Sequence, residues 1–526
     1  MCKIFSNFVA DLVIKTMKIR ILVNLMLCMS LSVAAQVHIS VGSRESWSTQ
    51  TLSAYVGQTV EFDVPIVVCS NASRLIVSPW RMYEPLSMGE RGSSAYATSN
   101  RVNSTSNFTL EGVSGYHRCG EKIYHLQAIV NSSTNLTFVS GEWQGNTRAD
   151  LERSIPDLGD YRLLVCGFNL ENYFVVNMGS LGARSEQQHE YQRQKISKAL
   201  ARINADIFGL VELEQGNEAI QEIVNDLNDN LPGRNYTFFH ESSGAAAYQK
   251  ADFVYDANIV EPIGTPVVIN TEVQNRKRMV CFREKTTGEK FIYSINHFKA
   301  MTGGASATDS RRTNEARAVV NFYNSFRNNT NVRDNDLLIM GDLNTYAFTD
   351  PIKVFTDNGL IDLHRAFHAD SSYSYMYGGL ASYIDHALST GTMYKQITGM
   401  AAYHINSDES DAYTYDKSSD RTMFRCSDHD PVLVGLKLDS TLVYDPTPQL
   451  NSIEILRGEA NTLIIRNAHN EEQKSYFAIY SIDGILIERQ EIASVYHETS
   501  LPDNPGVYIV YIYADGAVYQ RKVIVR

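Results

Sequence analysis

The sequence predicts a mixed α/β domain flanked by two β-rich domains. Its 526 residues correspond to about two to four domains at roughly 100–200 residues each. The middle of the chain alternates apolar strand-like runs with amphipathic helical patterns, whereas both flanks carry short alternating runs separated by turn residues. With 44% apolar and 20% charged residues, the composition is that of a globular protein and excludes a collagen, a coiled coil or a wholly disordered chain.

The charge balance is acidic, with 47 basic and 59 acidic side chains and a formal net charge of -12. Proteins that coat nucleic acids do so through broad surfaces of lysine and arginine that displace counterions from phosphates. This composition argues against that class of protein. If this protein acts on phosphate groups, it must therefore bind them at a local site.

The N-terminus has the pattern of a secretory signal peptide. Lys18 and Arg20 precede an apolar run over residues 21–33, and the small residues Ala34 and Ala35 follow it. We therefore assign residues 1–35 to a signal peptide; a membrane anchor, or a lipoprotein attached at Cys28, is a less favoured alternative. No later apolar run reaches the roughly 18–20 residues of a membrane helix, so no membrane span is expected.

Five cysteines follow the predicted signal peptide, and they include no C-x-x-C pair. This spacing disfavours a zinc site and a dense disulfide framework. Cys69 and Cys119 are candidates for one disulfide in the first domain. Cys166 and Cys281 lie in apolar runs and are expected to be buried as small hydrophobic residues.

Residues 37–156 are predicted to form the first, β-rich domain. Val60, Phe62 and Val64 begin an alternating run, and clusters of serine, asparagine and glycine separate it from the next. Asn-x-Ser/Thr sequons indicate polar surface loops. They begin at Asn71, Asn103, Asn107 and Asn131.

Residues 160–440 are predicted to form the α/β domain. Apolar runs predict strands over residues 162–168, 207–211, 253–255, 291–296, 337–340 and 432–436. Helical spacing of apolar residues predicts helices over residues 192–204, 220–227 and 314–326.

Residues 450–526 are predicted to form a small separate β domain. A stiff linker with two prolines, residues 445–448, separates it from the α/β domain. Asp483-Gly484 and Asp515-Gly516 are strong signals for tight hairpin turns between short strands.

Polar side chains follow directly on apolar strands of the α/β domain. Because sites of α/β sheets form at strand ends, we expect these side chains to converge although they are far apart in the sequence. They are Asn169 in Phe-Asn-Leu-Glu-Asn, Glu212 in Gly-Leu-Val-Glu, His297 in Ile-Asn-His-Phe, Asp342 and Asn344 in Gly-Asp-Leu-Asn, Asp385 in Tyr-Ile-Asp-His, and Asp428 and His429 in Ser-Asp-His-Asp-Pro.

This set suits metal-assisted hydrolysis of a phosphoester. Mg²⁺ takes a few carboxylate or amide oxygens, which fits Glu212, Asn169 and Asp342, and no thiolate favours a softer metal. Two histidines can divide the proton transfers, one activating water and the other protonating the leaving alkoxide. A carboxylate that accepts from the far ring nitrogen would hold the base in its useful tautomer, the role expected of Asp385.

Each motif alone also fits a structural role. Glu212 alone would be a solvated strand end, Asn169 a turn residue, and His297 a buried histidine with its hydrogen bonds satisfied. Gly-Asp-Leu-Asn alone would be a loop. Three ionisable groups in a row at Asp428, His429 and Asp430 have no such packing role, and the fixed order of all the motifs favours a functional site.

In that order, over residues of about 160 to 437, the motifs resemble those of the endonuclease/exonuclease/phosphatase superfamily, which has the fold of pancreatic-type deoxyribonuclease. The strings Asn-Leu-Glu-Asn-Tyr-Phe and Asn-His-Phe-Lys look most like those of secreted bacterial nucleases in that superfamily. The resemblance implies a four-layer α/β sandwich with the site at one rim of two packed sheets.

The resemblance also implies roles for the site residues. Asn169 and Glu212 would hold Mg²⁺ or Mn²⁺, with Ca²⁺ as an alternative, and Asp428 would support this metal site. Asp342 and Asn344 would bind the metal or the scissile phosphate. His429 would be the base, oriented by Asp385, and His297 would act as the acid or stabilise the transition state.

Two features depart from or extend the family pattern. Members of the superfamily often have an acidic partner for the histidine at the position of His297, but residues 245–248 offer none and Asp252 is out of phase. Arg278 and Lys299 are candidate phosphate contacts, as are Arg311 and Arg312.

The flanking domains carry resemblances of their own. The segments 504–510 and 521–526 look like those of the sorting domain of the type IX secretion system, which implies passage through the periplasm to the outer cell surface or medium with that machinery as a partner; an accessory β-sandwich is the alternative. The first domain resembles an OB-like module. Such a barrel can bind single strands through basic and aromatic side chains, for which Trp80, Arg81 and Tyr83 form the densest cluster.

Taken as a whole, the sequence predicts a secreted, monomeric, Mg²⁺- or Mn²⁺-dependent nuclease that hydrolyses phosphodiester bonds of DNA, and of RNA as a further substrate. A phospholipase-C-like or inositol-phosphate hydrolase of the same superfamily is the second hypothesis. A non-catalytic surface binding protein is the third.

Overall fold

The computed structural model describes residues 37–70, 74–145, 147–271 and 275–438 without interruption. In the C-terminal part it describes residues 454–457, 462–466, 475–482, 485–492, 496–502, 504–514 and 517–525. The predicted signal peptide, the sequon at Asn71, the linker at residues 445–448 and the two Asp-Gly turns lie outside the described residues.

The N-terminal part forms a β-barrel, which we call the N-terminal barrel. Its strands pair in a ring, β3-β4-β5-β7-β6 and back to β3, in which β5 and β7 are parallel. Five strands closed in this way form the type of small barrel found in OB modules. The strands are β1 Val37–Ile39, β2 Thr59–Phe62, β3 Ile66–Ser70, β4 Ile76–Ser78, β5 Phe108–Glu111, β6 Lys122–Ser132 and β7 Asn135–Gln144; the helices are α1 Pro85–Met88, α2 Ser94–Thr105 and α3 Arg148–Arg153.

The α/β domain contains two six-stranded sheets. The first has the order β10-β11-β9-β8-β21-β20, and the second has the order β12-β13-β14-β15-β19-β16. The strands are β8 Leu163–Tyr173, β9 Ile207–Gln215, β10 Tyr236–Phe238, β11 Ala246–Asp256, β12 Val260–Val268, β13 Lys277–Glu284, β14 Lys290–Asn296, β15 Leu337–Asp342, β16 Ile361–Asp362, β19 Asp385–Ser389, β20 Ile397–Ala402 and β21 Val432–Leu436, with a separate hairpin of β17 Tyr375–Tyr377 and β18 Leu380–Ser382. The helices are α4 Glu186–Ile203, α5 Glu218–Asn230, α6 Asp309–Phe326, α7 Asp350–Asp357, α8 Leu363–His368 and α9 Gly391–Tyr394.

The two sheets pack face to face, and helices cover their outer faces. Val211 and Phe253 of the first sheet share one buried core with Tyr293 of the second. A second core joins α4 and α5 to the first sheet, and a third joins α6 and α7 to the second sheet. This arrangement confirms the predicted four-layer sandwich, and each strand and helix predicted for this domain lies within or overlaps an observed element.

The contact between the sheets requires a glycine on β9. A Cβ atom on Gly209 would lie 2.3 Å from the Tyr293 hydroxyl of the facing sheet. Any side chain there would push the sheets apart, because close-packed cores tolerate little added volume.

The C-terminal part is a sandwich of a three-stranded and a four-stranded sheet. Buried residues of both sheets, such as Ile465 and Val510, share one core. The sheet orders are β22-β23-β26 and β25-β24-β27-β28. The strands are β22 Glu454–Arg457, β23 Thr462–Arg466, β24 Tyr476–Ser481, β25 Leu486–Glu491, β26 Tyr496–Ser500, β27 Gly506–Ala514 and β28 Ala517–Val525.

The disulfide considered for Cys69 and Cys119 is not formed. Both thiols are reduced and buried. The Cys119 thiol donates to the carbonyl oxygen of Cys69 at 3.4 Å, while the Cys69 thiol is directed at the carbonyl oxygens of Val67 and Trp80. The two sulfurs therefore contact backbone oxygens rather than each other. Cys166 and Cys281 are buried, as predicted.

The N-terminal barrel and the α/β domain share a buried ionic interface. Arg81 donates to Asp408 at 3.0 Å. Arg118 and Arg148 both donate to Glu409, whose side chain is fully buried. These contacts join the barrel to a loop that leads toward the polar strand ends of the α/β domain. Among the described residues, no helix is both long and apolar enough to cross a bilayer.

Candidate active site

The predicted site residues lie at one rim of the two sheets. Asn169 and Glu212 lie in the C-terminal halves of the parallel strands β8 and β9, and His297 directly follows β14. Asp342 ends β15, which is parallel to β14, and pairs with Asp385 at the start of the antiparallel strand β19. Asp428 and His429 precede β21, which pairs with β8. The pairing of the strands therefore brings all of these side chains to the same edge.

Unusual backbone conformations aim two of these side chains. Glu212 has φ +62° within β9, and Asn344 has φ +48° just after β15. Non-glycine residues seldom adopt this region, and such residues are found at functional sites where the surrounding structure holds them. Neighbouring backbone holds the Glu212 carboxylate, because the Asn172 N–H donates to its Oε2 at 3.0 Å.

Carboxylates and imidazoles converge at the centre of the site. His297 Nε2 lies 3.5 Å from Glu212 Oε1 and 3.6 Å from Asp342 Oδ2. One atom from each of these three side chains lies within 4.8 Å of the others, and the same holds for Asp342, Asp385 and His429. Asp342 belongs to both groups, so this residue of the second sheet lies next to Glu212 and His429 of the first sheet.

Two asparagines hold the Asp342 carboxylate. Asn344 donates from its backbone N–H to Oδ1 at 2.8 Å and from its side chain to Oδ2 at 3.0 Å. Asn169 donates its side-chain amide to Oδ2 at 3.2 Å. Asp342 is thereby fixed in position, with charge-assisted hydrogen bonds that are stronger than neutral ones.

His429 is oriented by a chain of hydrogen bonds. Its Nδ1 lies 2.8 Å from Asp385 Oδ2, and the Ser374 hydroxyl donates to the same carboxylate oxygen at 2.7 Å. In the neutral ring, the Nδ1 proton faces Asp385 and Nε2 is left to accept a proton. Asp428 Oδ1 lies 3.9 Å from this Nε2 and is partly exposed.

The crowding of acids shifts the pKa values of the site. Burial and the charges of Asp385 and Glu212 raise the pKa of Asp342 to about 8. Burial and the charge of Asp428 raise the pKa of Glu212. Burial alone would lower the pKa of His429, but Asp385 and Asp428 hold it well above its usual value. Like charges pressed together in this way indicate an excess of negative charge in the site.

This excess of negative charge fits a divalent cation. The oxygen-rich donor set of Glu212, Asp342 and Asn169, without thiolates, is suited to a hard ion such as Mg²⁺ or Mn²⁺. A bound cation would neutralise the carboxylates that now raise the pKa of one another. Divalent-metal binding is typical of the family to which this set of motifs points.

His297 has no acidic partner on its far side. Its Nδ1 is buried and accepts or donates no hydrogen bond among the described residues. Burial, with the charges of Arg276 and His429, lowers the pKa of His297 well below its usual value. Asp252, the acid that the sequence placed out of phase for this role, instead accepts from Lys250 at 2.7 Å and pairs with Arg278 at 3.2 Å.

The expectation that Arg278 contacts phosphate is therefore wrong. Its guanidinium is buried and pairs with Glu241 and Asp252. Lys299 lies close enough for its charge to lower the pKa of His297, and its role as a phosphate contact stays a prediction. Arg276 is the cation that the sequence reasoning missed: burial lowers its pKa, while Glu212 and Asp342 act in the opposite direction.

Other contributors to the site were also missed. Arg276 directly precedes β13, and nothing in the sequence around it distinguishes it from Arg278. Ser427 lies within the recognised Ser-Asp-His motif, and its hydroxyl donates to the Asn169 carbonyl at 2.7 Å. Ser374 and Tyr375 come from a short hairpin that has no polar motif of its own, so the sequence offered no comparable clue to them.

A comparison with family models finds a match to the Endonuclease/Exonuclease/phosphatase family over residues 169–429. The matched region begins at Asn169 and ends at His429, and it contains every residue of the converging cluster. Comparison with curated proteins finds no match.

Solved structures of low sequence identity are similar to about half of this chain. An endonuclease/exonuclease/phosphatase from Bacteroides vulgatus is 16% identical, with a TM-score of 0.38, over 53% of this chain and 99% of that one. A mannosyl-6-phosphatase from Bacteroides thetaiotaomicron VPI-5482 is 17% identical, with a TM-score of 0.36, over 53% and 100%. The human Nocturnin catalytic domain is 15% identical, with a TM-score of 0.37, over 52% and 94%.

The family match and the order of the site motifs agree on the same residues. The α/β domain of this chain belongs to the endonuclease/exonuclease/phosphatase family, whose members hydrolyse phosphoester bonds.

Proposed function

We propose that the protein is a divalent-metal-dependent nuclease that hydrolyses phosphodiester bonds of DNA, with RNA as a further substrate. The observation that carries the proposal is the pairing of an oriented imidazole, His429 on Asp385, with the Glu212–His297–Asp342 cluster across the same rim. A general base and a second imidazole that both border a cation-binding group of acids suit attack of water on a phosphate diester.

The side chains divide the chemistry between them. His429 Nε2 accepts the proton of the attacking water, and Asp385 stabilises the imidazolium that forms. Arg276 presents donors to the non-bridging phosphate oxygens, where negative charge develops, while Asn344 keeps the Asp342 carboxylate in position. His297, whose lowered pKa keeps it neutral at pH 7, donates a hydrogen bond toward the leaving oxygen. Glu212, Asp342 and Asn169, with Asp428 in support, would hold Mg²⁺ or Mn²⁺, and the bound ion would neutralise charge on the phosphate.

The test is a substrate panel with and without chelator. Purified protein is incubated with supercoiled plasmid, RNA and sphingomyelin in the presence of Mg²⁺, Mn²⁺ or EDTA. We expect nicking and degradation of plasmid with metal and none with EDTA. Glu212→Ala and His429→Ala should abolish cleavage, whereas Glu186→Ala and His38→Ala, which change exposed residues of the same types, should not. Intact plasmid and RNA with every metal, together with phosphocholine release from sphingomyelin, would instead establish a lipid phosphodiesterase.

We further propose that the protein is secreted to the outer surface or the medium and acts as a monomer. The support for secretion is the charged, apolar and small-residue pattern of residues 1–35 and the resemblance of the C-terminal segment to a type IX sorting domain. Immunoblotting of the cell, periplasmic and medium fractions tests it. Full-length protein confined to the cytoplasm would contradict it.

A further inference from the structure

A short hairpin beside the candidate active site carries an exposed aromatic side chain. Strands β17 and β18 are joined by Gly378 and Gly379, whose φ values are +59° and +82°. Two consecutive residues with positive φ form the tight turn that matches the twist of a two-stranded ribbon. The hairpin, residues 375–382, contains no charged side chain.

The N-terminal barrel holds this hairpin in place. The Ala381 N–H donates to the Met82 carbonyl at 2.9 Å, and the Glu84 N–H donates to the Ala381 carbonyl at 3.0 Å. Tyr83 of the barrel thus forms an isolated parallel bridge with Ala381 of the hairpin. Because an isolated two-stranded hairpin is marginally stable, these backbone hydrogen bonds to the barrel help to fix its position.

The other strand of the hairpin lies on the catalytic pair. The Tyr375 ring packs on the His429 ring with a centroid separation of 4.7 Å, and the two residues form a backbone bridge. The preceding residue, Ser374, donates to Asp385. The start of β17 is consequently fixed relative to the group proposed to activate water.

Tyr377 lies two residues further along the same strand. Residues i and i+2 of a strand share one face and are separated by about 7 Å. Tyr375 and Tyr377 therefore point to the same side, yet Tyr377 is 74% exposed. Tyr346, which follows the Asp342–Asn344 motif, lies near Tyr377: burial, then the charge of Glu84 and then Tyr377 raise the pKa of Tyr346 to about 12. The exposed Tyr377 ring therefore lies two residues from the Tyr375–His429 contact and near a second tyrosine beside the candidate site.

We propose that the Tyr377 ring stacks on the nucleobase next to the scissile phosphate, so that single-stranded or unpaired nucleic acid is the preferred substrate. This inference rests on the proposed nuclease function. A base inside a duplex already has stacked neighbours on both faces, whereas an unpaired base offers a free face to an aromatic ring. The absence of charge on the hairpin means that it recognises the ring face and not the phosphate.

The test compares three forms of one oligonucleotide: single-stranded, in a duplex, and single-stranded with abasic residues flanking the cleavage site. The wild-type enzyme should have its highest kcat/KM on the normal single strand. Tyr377→Ala should raise KM for that strand about tenfold, with kcat nearly unchanged, because stacking contributes equally to the bound substrate and the transition state. Tyr377→Phe and Tyr377→Trp should retain the wild-type KM. The same Ala variant should leave cleavage of the abasic strand unchanged.

Other outcomes separate this inference from the nuclease proposal. If Tyr377→Ala lowers kcat/KM equally on the normal and abasic strands, or changes it on neither, the stacking role alone is overturned. A wild-type preference for the duplex also overturns it. Failure of the wild-type enzyme to cleave any nucleic acid overturns the nuclease proposal and this inference together. Thermal unfolding of each variant checks that the exposed substitution leaves the fold intact.

Discussion

Asp385 is the residue on which the proposed base depends most. It accepts from His429 Nδ1, and removing its charge would favour the wrong tautomer of the imidazole. In the proposed nuclease, Asp385→Asn should lower kcat by about 10³–10⁴-fold while KM changes little. Steady-state kinetics on a single-stranded oligonucleotide measures the change.

Ser374→Ala provides the graded comparison. It removes only the hydroxyl that donates to Asp385, and loss of such a supporting hydrogen bond costs about 10–100-fold in activity. Equal effects of the two substitutions would show that Asp385 acts through packing and not through the histidine tautomer.

Asp334 gives a pH-dependent prediction away from the site. Burial and the neighbouring charge of Asp336 raise its pKa to about 7, well above the roughly 3.9 of an unfolded chain. Between these values the folded state binds more protons than the unfolded state, so the free energy of unfolding falls as pH rises from about 4 to about 7 and is level above. Asp334→Asn should remove this dependence and stabilise the protein at pH 8 by about 2–4 kcal/mol. Urea denaturation at pH 5 and pH 8 measures both effects, and an unchanged pH slope in the variant would contradict the assignment.

At the residue scale, the sequence indicated the polar groups at strand ends, including Asp385 as the partner of His429, and missed Ser374, which supports Asp385. Asp342 and His429 lie in short polar motifs directly beside apolar runs, so they can be recognised from the sequence alone. Arg278 was predicted as a phosphate contact and Arg276 was not considered, although both are basic and lie near the start of the same strand. Only the packing of the two sheets shows that Arg278 meets Glu241 and Asp252, whereas Arg276 lies in the field of Glu212 and Asp342.

At the scale of elements, β15 can end in Asp342 only because Gly341 precedes it. Gly341 has φ +123°, and a Cβ there would lie 2.1 Å from the Asn296 carbonyl of the adjacent strand β14. Gly341→Ala should therefore displace both β14 and the Asp342 carboxylate. We expect the free energy of unfolding to fall by about 3–5 kcal/mol and the enzymatic activity to be lost. Thermal denaturation and the plasmid assay measure the two losses.

Gly288→Ala is the matched control for this prediction. Gly288 also has positive φ, +77°, but a Cβ there would meet no atom within 4 Å. Its substitution should cost only the backbone strain, about 1 kcal/mol, and leave activity unchanged. Equal losses at the two positions would mean that strain and not the clash with Asn296 is decisive.

The elements of the α/β domain were predictable where their apolar periodicity is long. Helices α4 and α6 and strands β8, β14 and β15 follow directly from such patterns. The β17–β18 hairpin was not predicted, because each of its strands has only three residues and the hairpin is held by backbone hydrogen bonds to a segment of the N-terminal barrel. Local patterns carry no information about a partner that lies about 300 residues away in the sequence.

At the scale of the whole molecule, Glu409 joins the barrel to the α/β domain. It is buried and accepts from Arg118, Arg148 and Tyr116. Glu409→Ala would remove a negative charge that pairs with two guanidinium groups in the interface. We therefore expect the free energy of unfolding to fall by about 3–5 kcal/mol. Chemical denaturation monitored by tryptophan fluorescence measures it, since all three tryptophans of the chain lie in the barrel.

An exposed ion pair provides the control for Glu409. Lys353 and Asp357 are 2.9 Å apart on α7, and their side chains are 64% and 56% exposed. Asp357→Ala should change stability by no more than about 0.5 kcal/mol. A similarly small effect of Glu409→Ala would show that the barrel and the α/β domain are not held together by this network.

The division of the site between two sheets has a mechanical consequence. Glu212 and His429 are attached to the first sheet, and His297, Asp342 and Asp385 are attached to the second, so hydrogen bonds within a sheet cannot keep the set assembled. A slip of one sheet over the other by a single residue, about 3.3 Å, would separate groups that now lie 2.8–3.6 Å apart. The close Gly209–Tyr293 contact in the middle of the sandwich opposes that slip. In the proposed nuclease, activity therefore depends on the register in which the two sheets pack.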